Sequence, residues 1–245
     1  MTKFVFPVIF IALMSFLDSA CAVTRAEVIA GAELLYRSRI TEYESANQLD
    51  TDPVFLARVR HIADRLITQA KKDFPVAEQY AWEVHVTDAQ DESASCMAGG
   101  KLLVGRPYVT DLELNEAELA MLLSHEIQHA VLEHNFREFQ EALRIEPDRR
   151  TSSFADLEQA IDHDDSLMDK LADFNRAQEG QADLEGLRMA WRAGWPAAGL
   201  AGYYKKLVRA GRNTNGESRD HPSSMLRWQA VQQLTLELSN SEHHD

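Results

Sequence analysis

The sequence predicts an α+β fold, mainly helical, with one small β-sheet set among the helices. Three observations carry that expectation. Apolar residues recur at three- and four-residue spacing through most of the chain from residue 24 onward, the signature of helices with one buried face. A single stretch, residues 81–104, instead carries strand-forming residues, alternates with period two at its start and is interrupted by Gly99-Gly100, as strands joined by tight turns are. No internal repeat and no linker-like run divides the chain, and 245 residues with 45% hydrophobic and 26% charged content suit one globular domain with a substantial core. A net charge of −14 excludes the ordinary nucleic-acid binder, which needs Lys and Arg to displace counterions from phosphates. Two cysteines are too few for a disulfide scaffold or a multi-cysteine metal module.

Residues 4–17 form a nearly unbroken apolar run behind Lys3. The run is shorter than the roughly 20 residues that span a bilayer, and with the small residues after it the segment reads as an export signal peptide over residues 1–22. Two endings stay open. Ala20-Cys21-Ala22 fits ordinary cleavage, whereas Ser19-Ala20-Cys21 fits a lipoprotein signal that would leave Cys21 as a lipid anchor, with Asp18 standing where such signals carry an apolar residue.

A single folded domain is expected over residues 24–238, followed by a polar tail at 239–245. Thr24 and Glu27 form a capping box that opens a helix to about residue 47. Asp52-Pro53 supplies an N-cap and a first-turn proline for a second helix to about residue 72, with Phe55, Val59, Ile62 and Leu66 as its buried stripe. Residues 81–87 read as a strand, and 94–97 with 101–104 as either one glycine-broken strand or a hairpin. Asn115 and Glu118 make a second capping box, opening a helix to about residue 135. Residues 137–165, polar and acid-rich, are expected as broken helix and mobile loop. A long helix over about 166–193 ends at Gly194-Trp195-Pro196, and helix 197–210, loop 211–222 and a last helix 223–238 complete the domain.

The chemistry concentrates in Ser124-His125-Glu126-Ile127-Gln128-His129. Residues four apart on a helix share a face, so His125 and His129 can aim two imidazoles at one point, as zinc's bonds of about 2.0–2.1 Å require. Glu126, rotated by about 100°, can reach a water beside the metal without ligating and take its proton. Leu119, Leu122, Leu123, Ile127 and Val131 make this a buried helix, and buried histidines and a carboxylate need partners that one Zn²⁺ per chain would supply. A third ligand is offered by Glu179, with Asp183 one turn on and placed to hold a ligating histidine from behind. Spacing alone leaves open that these two are a solvated acidic face. His134, five residues past His129, would point away from the ligands on a continuous helix, and His61, His85 and His163 lack metal spacing. Cys96 has no base beside it and reads as a small buried thiol.

These motifs resemble the gluzincin metalloproteases typified by the CAAX prenyl proteases, the HtpX membrane protease and their soluble periplasmic relatives. Glu179-Gly180-Gln181-Ala182-Asp183 matches the family's Glu-x-Glu-Ala-Asp segment with Gln181 for the second Glu. Ser93-Ala94-Ser95-Cys96-Met97-Ala98-Gly99-Gly100 corresponds to its Asn-Ala-x-Ala-x-x-Gly-Gly strand, Ala193-Gly194-Trp195-Pro196 to its Ala-Gly-x-x-Pro with one residue fewer, and His221-Pro222 with Arg227 to its late His-Pro…Arg. The resemblance implies a zincin-like metalloprotease domain whose sheet borders the active-site cleft. It implies Zn²⁺ on His125, His129 and Glu179, Glu126 as general base, and an extended peptide along residues 93–104, touching Ser95, Cys96, Met97, Ala98 and Gly99. For His221 it leaves an oxyanion donor, a further zinc ligand holding the enzyme latent, or a plain loop histidine. For Arg227 it leaves a partner of Asp183 or a solvent-facing side chain. Membrane members carry hydrophobic spans between the two motif helices, where residues 137–165 are polar here, so the likeness is to the soluble branch. The expected role is endopeptidase action on unfolded or misassembled envelope proteins in the bacterial periplasm, soluble or lipid-anchored at Cys21. Two other readings remain open: a zinc-bearing chaperone or assembly factor with little or latent proteolysis, and a metal-free helical interaction module.

Overall fold

The computed structural model describes residues 23–211 and 222–241, so the expected signal peptide falls outside it. The first two helices start where their caps place them. Thr24 and Glu27 exchange backbone and side-chain hydrogen bonds at the head of α1 (Arg25–Ser45). The Asp52 carboxylate accepts from the N–H groups of Val54 and Phe55, each at 3.0 Å, at the head of α2 (Pro53–Asp73). A 3-10 turn (Pro75–Gln79) leads to β1 (Glu83–Thr87). Of the two readings of the next stretch, the hairpin forms: β2 (Ala94–Met97) and β3 (Lys101–Gly105). Its turn needs glycine, because Gly99 and Gly100 sit at φ +85° and +84°, a region that side-chain-bearing residues avoid.

The sheet order is β1-β3-β2, with β1 parallel and β2 antiparallel to the central β3. All of β3 is buried, and the pleat sorts the side chains by face. Cys96, Leu102 and Val104 join α2 in the main core, while Met97 and Leu103 pack beneath Tyr36 and Ile40 of α1. Only the β2 half of the expected 93–104 peptide track therefore lies at an edge; residues 101–104 are the middle of the sheet.

A short helix absent from the sequence reading, α3 (Arg106–Asp111), connects the sheet to α4 (Glu116–Val131), which starts at the Asn115/Glu118 capping box. Expected to reach about residue 135, α4 stops at Val131 because Glu133 takes a left-handed conformation, φ 57°, and the chain restarts as α5 (His134–Ile145). Residues 137–165 are broken helix, as expected, but not a mobile loop. They comprise most of α5, a 3-10 turn (Pro147–Thr151) and α6 (Phe154–His163), capped by Ser153 and Asp156. Phe139, Leu143, Leu157 and Ile161 bring these helices together with Val28 of α1 and with Leu167 and Leu171 of α7 (Asp165–Arg192) in a second apolar cluster. The acidic outer faces dominate the composition, but the inner stripe decides the fold.

The segment expected as one helix over 197–210 divides at Ala201 into α8 (Ala197–Leu200) and α9 (Gly202–Arg209). The last helix, α10 (Ser224–Ser241), carries on three residues into the stretch expected as tail. Among the described residues, no helix is long and apolar enough to cross a membrane. The packing that matters for the site is α7 against α4. Glu179, Asp183 and Gly186 form one stripe on α7, and a Cβ on Gly186 would lie 3.1 Å from the His125 backbone nitrogen. The bare glycine lets the two helices approach closely at the level of the histidines.

Candidate metal centre

Helical periodicity on α4 and close approach of α7 bring three donors to one point. His129 Nε2 lies 3.2 Å from His125 Nε2 and 3.1 Å from a Glu179 carboxylate oxygen, and His125 Nε2 lies 3.5 Å from the other. Ligands at about 2.0–2.1 Å from a tetrahedral ion stand roughly 3.3 Å from each other, so the spacing and the chemistry of the donors both fit a small divalent cation. His125, His129 and Glu179 are the cluster of this kind among the described residues. Burial pulls the His125 pKa down, yet the Glu179 charge and hydrogen bonds to Asp183 and Glu179 outweigh it and carry the value up to about 10. The pocket attracts positive charge.

Behind His125 stands a charged assembly. Its Nδ1 is 2.9 Å from Asp183 Oδ1. Arg227, reaching in from α10, donates Nε–H to Asp183 Oδ2 at 2.8 Å and Nη2–H to Oδ1 at 2.6 Å, and the Tyr204 hydroxyl of α9 donates to Oδ1 at 2.7 Å. Burial alone would raise the Asp183 pKa, but the Arg227 guanidinium, with His125, holds it down at about 2. Of the readings left open for these two, the structure has Arg227 as the partner of Asp183 and Asp183 behind His125, not a solvent-facing arginine or a solvated acidic face. Tyr204 was missed, since an aromatic in a helical stripe reads as core; the one available signal is that a buried tyrosine hydroxyl needs a partner.

Behind His129 the partner is His134. The left-handed Glu133 turns the chain so that His134, only 2% exposed, brings Nδ1 to 3.1 Å from His129 Nδ1 and Nε2 to 3.3 Å from Gln181 Oε1. The ring points at the back of a ligand, not at the ligand point. Burial, reinforced by the His129 ring, pushes its pKa down to about 3, which keeps it neutral. The continuous-helix geometry assumed from the sequence does not hold here, and no Gly or Pro in Leu132-Glu133 signalled the break.

Glu126 faces a cavity of about 510 Å³ that His125, Tyr108, Tyr203 and Arg227 also line. Burial raises its pKa, with the histidine charges opposing. A second cavity, about 350 Å³, is lined by His129, His134, His163 and Glu179 among others. On the edge strand, Gly105 N–H donates to Ser93 C=O at 2.7 Å, which fixes the ladder phase. Ser95 and Met97 then bond toward β3, and Ala94 and Cys96 turn their backbone groups to the open edge. The side chains of Cys96 and Met97 are taken up in packing, and burial pushes the Cys96 thiol up. Ala98 packs beside the second cluster and Gly99 serves the turn. Cys21 and His221 lie outside the described residues.

Two imidazoles and a carboxylate gathered beside a further carboxylate, on a cavity that Ser93 ahead of the edge strand also lines, are the arrangement that metal-dependent hydrolase domains use. Sequence comparison sharpens this: residues 55–235 match Peptidase family M48, and the chain belongs to that family. It is 32% identical over 106 residues to the mitochondrial metalloendopeptidase OMA1 of Bos taurus, and 33% over the same length to that of Homo sapiens. Each alignment covers 42% of this chain and 19% of the relative, so the chain spans about a fifth of these curated proteins.

Proposed function

We propose that this chain is a zinc-dependent endopeptidase in which Glu126 is the general base. The observation that carries the proposal is the spacing of His125 Nε2, His129 Nε2 and the Glu179 carboxylate, with Glu126 on the adjoining cavity. Two imidazoles and one carboxylate with a position left open are the donor set of catalytic zinc. Bound there, the ion would supply Lewis acidity, making a water more acidic and polarising the scissile carbonyl. Glu126 takes the proton of the attacking water; burial strengthens it as a base, and it hands that proton to the amine nitrogen as the C–N bond breaks. Asp183, clamped by Arg227, holds His125 in the tautomer that leaves Nε2 free to ligate.

The substrate chain lies along β2 as an added strand, on the backbone groups of Ala94 and Cys96. Recognition through backbone is indifferent to sequence and suits unfolded or misassembled polypeptides. The apolar run at residues 4–17 supports export, with the chain soluble after export or lipid-anchored at Cys21; the role in quality control of envelope proteins in a bacterial periplasm rests on the family resemblance.

Glu126→Gln tests the chemistry. Cleavage of unfolded casein should fall by about 10²–10⁴ with zinc content undiminished, and chelation of wild type should abolish cleavage until zinc is restored. Unchanged cleavage by the variant would remove Glu126 from the mechanism. Wild type and variant that both hold unfolded clients and cleave none would instead favour a zinc-bearing chaperone.

A further inference from the structure

Each candidate ligand histidine has a partner behind it, and the two partners differ in kind. The tautomers on the His129 side follow from elimination. His129 Nε2 faces Glu179 and His125, so when that nitrogen ligates, the ring proton is on Nδ1. His129 then donates to the group in front of Nδ1, which is His134 Nδ1 at 3.1 Å. An accepting Nδ1 puts the His134 proton on Nε2, and Nε2 faces Gln181 Oε1 at 3.3 Å, an atom that can only accept. Every donor in this chain of bonds meets an acceptor. Turning the Gln181 amide over would set its NH₂ against His134 Nε2, force a proton onto His134 Nδ1 and oppose two protons at His129. The relay is also held in place, because Gln178 Nε2 donates to the His134 carbonyl at 3.2 Å. Gln178 and Gln181 lie one turn apart on α7, the helix that carries Glu179.

Resting on the metallopeptidase reading, we propose that His134 is a positioning residue for the metal ligand His129 and that Gln181 fixes the tautomer in which His134 does so. Gln181 is the position at which this chain departs from the Glu-x-Glu-Ala-Asp pattern. A neutral amide there makes the relay neutral throughout, unlike the Asp183–Arg227 assembly behind His125. The amide orients His129 without adding negative charge to the site, so the charge of residue 181 sets how tightly the site holds its ion.

Zinc affinity, measured by competition with a chromophoric chelator, tests this without reference to turnover. His134→Phe fills the space but removes the acceptor, and should weaken zinc binding by about 10–100-fold. His134→Gln restores an acceptor and should recover most of that loss, which a purely packing role would not allow. Gln181→Leu should weaken binding several-fold, and Gln181→Glu, an anionic acceptor, should tighten it. Long-range ¹H–¹⁵N spectra of the zinc-loaded chain should show His134 protonated at Nε2. Wild-type affinity in His134→Phe, equal losses in the Phe and Gln variants, or a His134 protonated at Nδ1 would each overturn the relay while leaving the zinc site standing. A wild type that takes up no zinc would overturn the underlying reading as well.

Discussion

His125 and His129 are one helical turn apart and have the same chemistry, yet they are supported in opposite ways. Behind His125 a carboxylate that is 1% exposed is gripped by an arginine from α10 and a tyrosine from α9. Behind His129 stands a neutral imidazole followed by a neutral amide. Buried opposite charges are costly to desolvate and costlier to separate, since removing one strands the other. The His125 side therefore locks the C-terminal helix to the site, and damage there unfolds as well as disarms. Neutral hydrogen bonds contribute about 0.5–1.5 kcal/mol each, so the His129 side can be altered without losing the domain.

The largest effect should come from Asp183→Ala. Arg227, 11% exposed, would remain buried without its acceptor, and among the described residues the nearest other carboxylate is Glu179, 3.7 Å from Nη1. Loss of about 3–5 kcal/mol is expected, read as the urea unfolding free energy of the metal-free protein, and zinc uptake should fall with it as Arg227 turns to the ligand. A loss below about 1 kcal/mol would place the two histidine supports on equal terms and break the contrast.

Acid should reproduce part of that effect. The Asp183 pKa is lowered from 3.8 to about 2 in the folded chain. Its contribution is thus present above pH 4 or so and is lost as pH falls toward 2, with a size of about 2–3 kcal/mol. Other carboxylates titrate in the same window, so the quantity to follow is the stability difference between metal-free wild type and Asp183→Asn. That difference should shrink as pH is lowered from 5 to 2. A difference that does not change with pH would mean that the Asp183 charge is not what Arg227 holds.

The same contrast separates what was legible in the sequence from what was not. The helix of His125 and His129 announced itself through i, i+4 spacing, because a helix turns local spacing directly into a shared face; for Glu179 and Asp183 the same spacing left a solvated acidic face open, and the family resemblance pointed to the ligand. Capping boxes at Thr24 and Asn115 fixed helix starts for the same local reason. The end of α4 was not legible: Glu133 adopts φ 57° with no glycine to mark it, and that one turn places His134. In residues 137–165 the break in the helix was legible but the order of the segment was not, because its charged outer face hides the stripe formed by Phe139, Leu143, Leu157 and Ile161. Tyr204 meets Asp183 only through tertiary packing of α9 on α7, which no local pattern encodes.

Tyr204→Phe is the smallest change that still bears on the comparison. It removes a single hydroxyl from Asp183 and leaves both Arg227 hydrogen bonds in place, so the carboxylate stays satisfied and the ring still fills its site. A cost near 1 kcal/mol is expected in the same urea measurement, with zinc affinity almost unchanged. If instead the loss approached that of Asp183→Ala, the hydroxyl would be what keeps Asp183 ordered. The His125 side would then depend on a neutral hydrogen bond, as the His129 side does, and Arg227 would be reduced to balancing charge.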